Sequence, residues 1–187
     1  MTDATSAPAG LSGAADAAAA VATFLRLADA AEAALLGRLA AAAIGRAEAF
    51  LGHVLVARGA EDVVAADGGW HRLAIEPVRG IAGVTALPPD VAPFVLPVDR
   101  YRIDVAADGR GWVRVAPSAV GDATRAAVSY TAGLAADWAS LPAPIAEGVV
   151  ALAARLFTDR DAGTAPPSDV IAAWRPFRRL RLAGGGR

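Results

Sequence analysis

The chain has 187 residues, 55% of them hydrophobic, with a formal net charge of −1 and no cysteine. That is enough apolar surface to build a real core, and the near-balanced charge supplies no global field to recruit nucleic acid or a membrane. Without cysteine there are no disulfides, thiolate nucleophiles or cysteine-held zinc or iron–sulfur groups. The expectation is a soluble globular protein, cytoplasmic at synthesis, with no apolar run near the roughly 18 residues of a membrane span.

Residues 1–13 are small, polar and Pro/Gly-containing, and predict a flexible arm. Asp16 is placed to cap a short Ala-rich helix over 16–27, and Asp29 to start a longer one over 29–51. In the second, Leu35, Leu36, Leu39, Ala43, Ala47 and Phe50 recur at steps of three and four, which predicts an apolar helical stripe that Gly52 ends.

The period then changes. Short segments rich in Val, Ile and aromatics, separated by turn residues, run from His53–Arg58 through Trp70–Ile75, Ile81–Leu87, Phe94–Leu96, Tyr101–Val105, Trp112–Val115 and Ala127–Tyr130. They predict a small antiparallel β unit over about 53–131. Its clearest hairpin joins Tyr101–Val105 to Trp112–Val115 around Asp108-Gly109, with Tyr101, Ile103 and Val105 on a dry face and Arg102 and Asp104 on a wet one. Asp67-Gly68 is a second turn of that kind.

Pro144 suits the first turn of a helix over 144–160, whose apolar face carries Ile145, Val149, Leu152 and Leu156. Gly163 and Pro166-Pro167 interrupt the chain, Ser168 or Asp169 is placed to cap a short helix over 169–175, and Pro176 ends it. Residues 175–187 hold Arg175, Arg178, Arg179, Arg181 and Arg187 with no acid, a basic end on a mildly acidic body.

Signals for chemistry are sparse. His53 and His71 are the only histidines, and further metal ligands near them, such as Glu61, Asp62 or Asp67, lie in loops of unassigned proximity; polar positions on a sheet account for both more simply than a metal or acid–base site. There is no Gly-x-Ser-x-Gly elbow, dinucleotide-binding glycine pattern or phosphate-binding Gly-Lys loop. Asp159 and Asp161 read as solvated charges at a helix end. A non-enzyme with no cofactor and no bound metal is expected. The arginine-rich end suits an acidic, partly apolar protein groove, where Arg forms paired hydrogen bonds and Phe177, Leu180 and Leu182 anchor. The alternative is a small nucleic-acid-binding module using the same arginines against phosphates.

Six segments in order carry a resemblance: Pro77-Val78-Arg79-Gly80-Ile81-Ala82-Gly83-Val84, Asp99-Arg100-Tyr101-Arg102-Ile103-Asp104, Gly111-Trp112-Val113, Val128-Ser129-Tyr130-Thr131-Ala132-Gly133, Leu141-Pro142-Ala143-Pro144-Ile145 and Trp174-Arg175-Pro176-Phe177-Arg178. Together, across roughly residues 16–182, they resemble the head–tail connector (adaptor) family of long-tailed phages and gene transfer agents. Ala86 to Pro97, with Pro88, Pro89, Pro93 and Pro97, departs from that pattern.

The resemblance implies an α+β fold, mainly α: a helical bundle with an inserted small antiparallel β unit, forming a single connector domain over 14–174, and an extended C-terminal tail over 175–187. It implies a homo-oligomeric ring, of order about twelve when a head-to-tail contact closes by rotation, lying below the portal protein and above the next neck or tail component, a stopper or tail terminator. DNA would pass through the channel without sequence-specific binding, no membrane would be involved, and the protein would end in the neck of a virion or phage-like particle. The residues expected to dock on the portal are Trp174, Arg175, Phe177, Arg178, Arg179, Leu180, Arg181 and Leu182.

Overall fold

A computed structural model describes residues 13–27, 30–121, 123–159 and 165–178. Among the described residues the fold is mixed α+β, 41% helix and 27% strand, so strand content is too high for the expected mainly-α balance to describe it. The described residues form two compact units, one within 57–134 and one within 13–56 together with 135–178.

The second unit is helical. Helix α1 (Ala14–Leu25) starts after Gly13, and Asp16 lies inside its first turn, where its charge meets the helix dipole without making a side-chain cap. Asp29 lies outside the described residues. Helix α2 (Ala33–Leu51) follows a 3₁₀ turn over Ala30–Glu32 and ends at Gly52. Its buried residues are Leu36, Ala40, Ala43, Ile44, Ala47 and Leu51, so the core stripe is rotated from the expected one and Leu35 faces out. The small alanines on that stripe let helices approach closely. Helix α3 (Ala143–Thr158) carries Pro144 in its first turn and buries Ile145, Gly148, Val149, Leu152, Ala153 and Ala154. Helix α4 (Ser168–Trp174) begins after Pro167, with no side-chain cap from Ser168 or Asp169. Helix α1 packs on α2 and α3, α2 on α3, and α3 on α4.

Residues 53–56 were expected to open the β unit, yet they belong to the helical one: His53, Val54, Leu55 and Val56 are buried there, and the Ala135 amide donates to the Leu55 carbonyl at 2.9 Å. An apolar β-branched run fits a buried connector as well as a strand.

The first unit contains two antiparallel sheets. Strands β1 (Arg58–Ala65), β7 (Arg125–Ala132), β3 (Val78–Ala86) and β4 (Phe94–Val95) form one in that order; β2 (Trp70–Arg72), β6 (Gly111–Val115) and β5 (Tyr101–Val105) form the other. The Asp67-Gly68 turn therefore links two sheets rather than closing a hairpin. The Asp108-Gly109 hairpin forms between the expected strands, with Tyr101 opposite Val115 and Ile103 opposite Val113. Gly109 has φ 79°, a conformation that glycine adopts without steric penalty. The core of this unit is lined by Val64, Leu73, Val84, Val113, Val115 and Val128, among others. The expected dry face of β5 is not buried: Ile103 and Val105 are exposed, because β5 is the outer strand of its sheet.

Asp62 on β1 is fully buried, and its Oδ2 accepts from the Ala74 amide at 2.6 Å and from the Tyr130 hydroxyl at 3.0 Å. These bonds satisfy Oδ2, while the buried Oδ1 has no hydrogen-bond partner among the described residues, in a strand whose Glu61-Asp62 pair reads as a loop in sequence.

Candidate functional site

The segment singled out by the sequence, Trp174 onward, is built on helix α3. The Trp174 indole is fully buried, and its Nε1–H donates to the Ile145 carbonyl at 3.3 Å. It lies over Gly148, where a Cβ would fall within 2.8 Å of the indole Cε2. Only glycine leaves room for that approach. A glycine inside a helix costs about 1 kcal/mol against alanine, which the burial of so large an aromatic offsets.

Phe50 of α2 packs against the same indole, with ring centroids 5.9 Å apart and planes inclined by 43°. Beyond Trp174 the chain makes one 3₁₀ turn, Arg175–Phe177. The Phe177 carbonyl accepts from His53 Nε2–H at 3.0 Å, which fixes a proton on that nitrogen. The Arg178 guanidinium lies 5.1 Å from the centre of the Phe50 ring, a cation–π geometry.

The candidate residues thus divide by environment. Trp174 is core of its own unit, Phe177 is half-buried, and Arg175 and Arg178 are exposed. Arg179, Leu180, Arg181 and Leu182 lie outside the described residues. The arrangement is a short basic end whose root is fixed to α3 by an indole, to α2 by a stacked arginine and to His53, just beyond α2, by a side-chain hydrogen bond to the Phe177 carbonyl. Sequence reasoning did not connect Gly148, Phe50 or His53 with this segment. The detectable signal was Gly148, an unfavourable helix residue on the apolar face of α3, which marks close approach by something large.

Reactive chemistry has little support. His71 lies on β2, hydrogen-bonded through Nε2 to Asp67 Oδ1 at 2.8 Å; that bond, then the Gly69 amide, holds the Asp67 carboxyl below its ordinary range. Burial first, and the neighbouring Asp62 carboxylate, push the Tyr130 hydroxyl well above the ordinary phenol range. Both are explained by structural contacts. Among the described residues no group of three or more His, Asp or Glu could hold a metal ion, and no helix is long and apolar enough to cross a membrane.

No protein-family profile and no curated protein sequence matches the chain. Solved structures do. The chain is similar, at 26% identity and a TM-score of 0.73 over 99% of its length and 98% of the other, to a chain in the neck of an empty gene transfer agent particle computed with C6 symmetry. A chain in the virion of a native gene transfer agent particle matches with a TM-score of 0.72 at 26% identity. One in the neck of a native particle computed with C12 symmetry gives 0.72 at 25% identity, each covering 99% of this chain and 98% of the other.

Proposed function

We propose that the protein is a structural, non-enzymatic neck component of a phage-like particle of the gene transfer agent kind, acting as a head–tail adaptor. It forms a ring, of order about twelve, below the portal protein and above a stopper or tail terminator, and so extends the DNA channel. What carries this reading is a similarity that runs through both units, end to end, to chains found in such necks. The repeated symmetry of those necks supports a ring of copies.

The basic end docks on the portal. Trp174 is the internal anchor, Arg175 and Arg178 are exposed at the root, and Arg179, Leu180, Arg181 and Leu182 extend the contact. Arginines pair with carboxylates through two parallel hydrogen bonds, while the apolar residues between them supply burial. A rooted segment loses less freedom on docking than one free from its first residue.

The test is removal of residues 175–187 in cells that produce the particles. The truncated protein keeps its far-ultraviolet circular dichroism, and negative-stain microscopy shows DNA-filled heads without tails. Tailed particles at normal yield would overturn docking through this segment. Tailed particles after loss of the whole chain would overturn the neck reading itself.

A further inference from the structure

The sheet of β2, β6 and β5 turns one face to solvent, and that face is made of tryptophan and charge. Residues directly opposite each other in an antiparallel pair point to the same side of the sheet, so the register defines the face row by row. One row is Trp70, Arg114 and Arg102, and the next is Arg72, Trp112 and Asp104. The other side carries Val113 and Val115, both fully buried. Trp70 is 47% exposed, Trp112 is half-buried, and Arg102, Arg114 and Asp104 are exposed.

Trp70 and Trp112 are diagonal neighbours on adjacent strands, a spacing of about 7–8 Å. Each has an arginine directly opposite, Arg114 for Trp70 and Arg72 for Trp112. Arg72 is committed to the buried carboxylate of Glu76. Arg102 and Arg114 make no ion pair among the described residues, and neither does Asp104, the one acid in the two rows. The rows hold no aliphatic side chain, since Ile103 and Val105 lie on the opposite side. A protein partner would require an apolar centre poor in charge, and duplex DNA, with its bases stacked inside, would engage the arginines alone. Unpaired bases joined by phosphates engage both, because aromatic side chains take the base faces and arginines the charge.

We propose that this face binds single-stranded nucleic acid without regard to sequence, with bases stacking on Trp70 and Trp112 and phosphates meeting Arg102 and Arg114. Every base has a π-face, so stacking supplies affinity without selecting a sequence. Asp104, opposite Trp112, repels phosphate and so confines the backbone to the row of Arg114 and Arg102. The inference goes beyond the neck reading and does not rest on it: the site lies wholly on three strands of the β unit, away from the basic end.

Fluorescence anisotropy of a labelled thymidine oligonucleotide, titrated with the full chain, tests this. Binding is expected at about 50 mM salt and weakens toward about 200 mM. Trp70→Ala should weaken it about tenfold, and Arg114→Ala should reduce the slope of log affinity against log salt by about 0.7. Both positions are exposed, so far-ultraviolet circular dichroism should not change. Arg175→Ala, in the basic end, should bind as the native chain does. Equal affinity for the same strand paired with its complement, together with no effect of Trp70→Ala, would show a contact with phosphates alone and overturn the proposal. So would binding that is lost in Arg175→Ala but kept in Trp70→Ala, which would assign it to the basic end. Absence of binding at about 50 mM salt would also overturn it and leave the face to a protein partner. Each of these failures leaves the neck reading standing, because that reading is tested by tail attachment in particles and not by oligonucleotide binding.

Discussion

The indole of Trp174 rests on the bare Cα of Gly148, and this contact joins the last described helix to α3. Replacing Gly148 by alanine should gain about 1 kcal/mol in helix propensity, yet the added methyl meets buried indole atoms. Overpacking of this kind costs about 1–3 kcal/mol, so Gly148→Ala is expected to lower the denaturant midpoint. Trp174→Ala leaves a cavity and should cost about 3–5 kcal/mol. Equilibrium unfolding of both variants checks the pair, and a more stable Gly148→Ala would show that the contact is loose.

A second buried relationship makes stability depend on alkaline pH. The Tyr130 hydroxyl donates to Asp62 and accepts from the Ile75 amide at 3.1 Å. Tyr130→Phe strands the Ile75 amide, leaves Asp62 Oδ2 with the Ala74 amide alone, and should cost about 1–3 kcal/mol at neutral pH. Because the folded state holds the phenol's proton more tightly than the unfolded chain does, this contribution is complete below the ordinary phenol range and is lost as pH rises above about 10. The chain contains only two tyrosines and, since every basic residue besides histidine is arginine, no lysine to obscure the effect. Unfolding midpoints between neutral and strongly alkaline pH should fall in the native chain and stay flatter in Tyr130→Phe.

How legible the fold was depended on whether a signal was local. The turn at Asp108-Gly109, the stop at Gly52 and the start of α3 near Pro144 are fixed by backbone preferences of one or two residues, and each appears in the structure. Strand β1 was hidden because Asp62 looks solvated in sequence, and only Tyr130 and Ala74, far along the chain, make its burial tolerable. The apolar run His53–Val56 misled for the converse reason, since burial in a connector needs no strand ladder. At the candidate site the aromatic and basic residues were visible, but their division was not: the burial of Trp174 follows from a glycine 26 positions earlier and a phenylalanine on another helix.

His53 tests how firmly the basic end is rooted. Its Nε2–H donates to the Phe177 carbonyl at 3.0 Å, a hydrogen bond worth about 1 kcal/mol. His53→Ala should raise the open fraction of the segment about fivefold. Trypsin reads this at Arg178, since the bond after Arg175 is protected by Pro176. Faster cleavage at Arg178 with a modest change in the global midpoint is expected, and an unchanged rate would show that the indole and Arg178 hold the segment without His53.

Arg175 and Arg178 separate docking from folding. Arg175 is exposed, with no ion pair or ring contact among the described residues, so Arg175→Glu should leave stability within about 0.5 kcal/mol of the native chain. Arg178 stacks on Phe50, and Arg178→Ala should cost about 0.5–1 kcal/mol. If the basic end binds an acidic partner, the charge reversal at Arg175 should reduce tail attachment more strongly than the neutral change at Arg178, although it perturbs the fold less. The two orders, one from thermal unfolding and one from counting tailed particles, are therefore opposite. Were attachment to follow stability instead, these arginines would serve the fold of the helical unit and the partner contact would lie elsewhere.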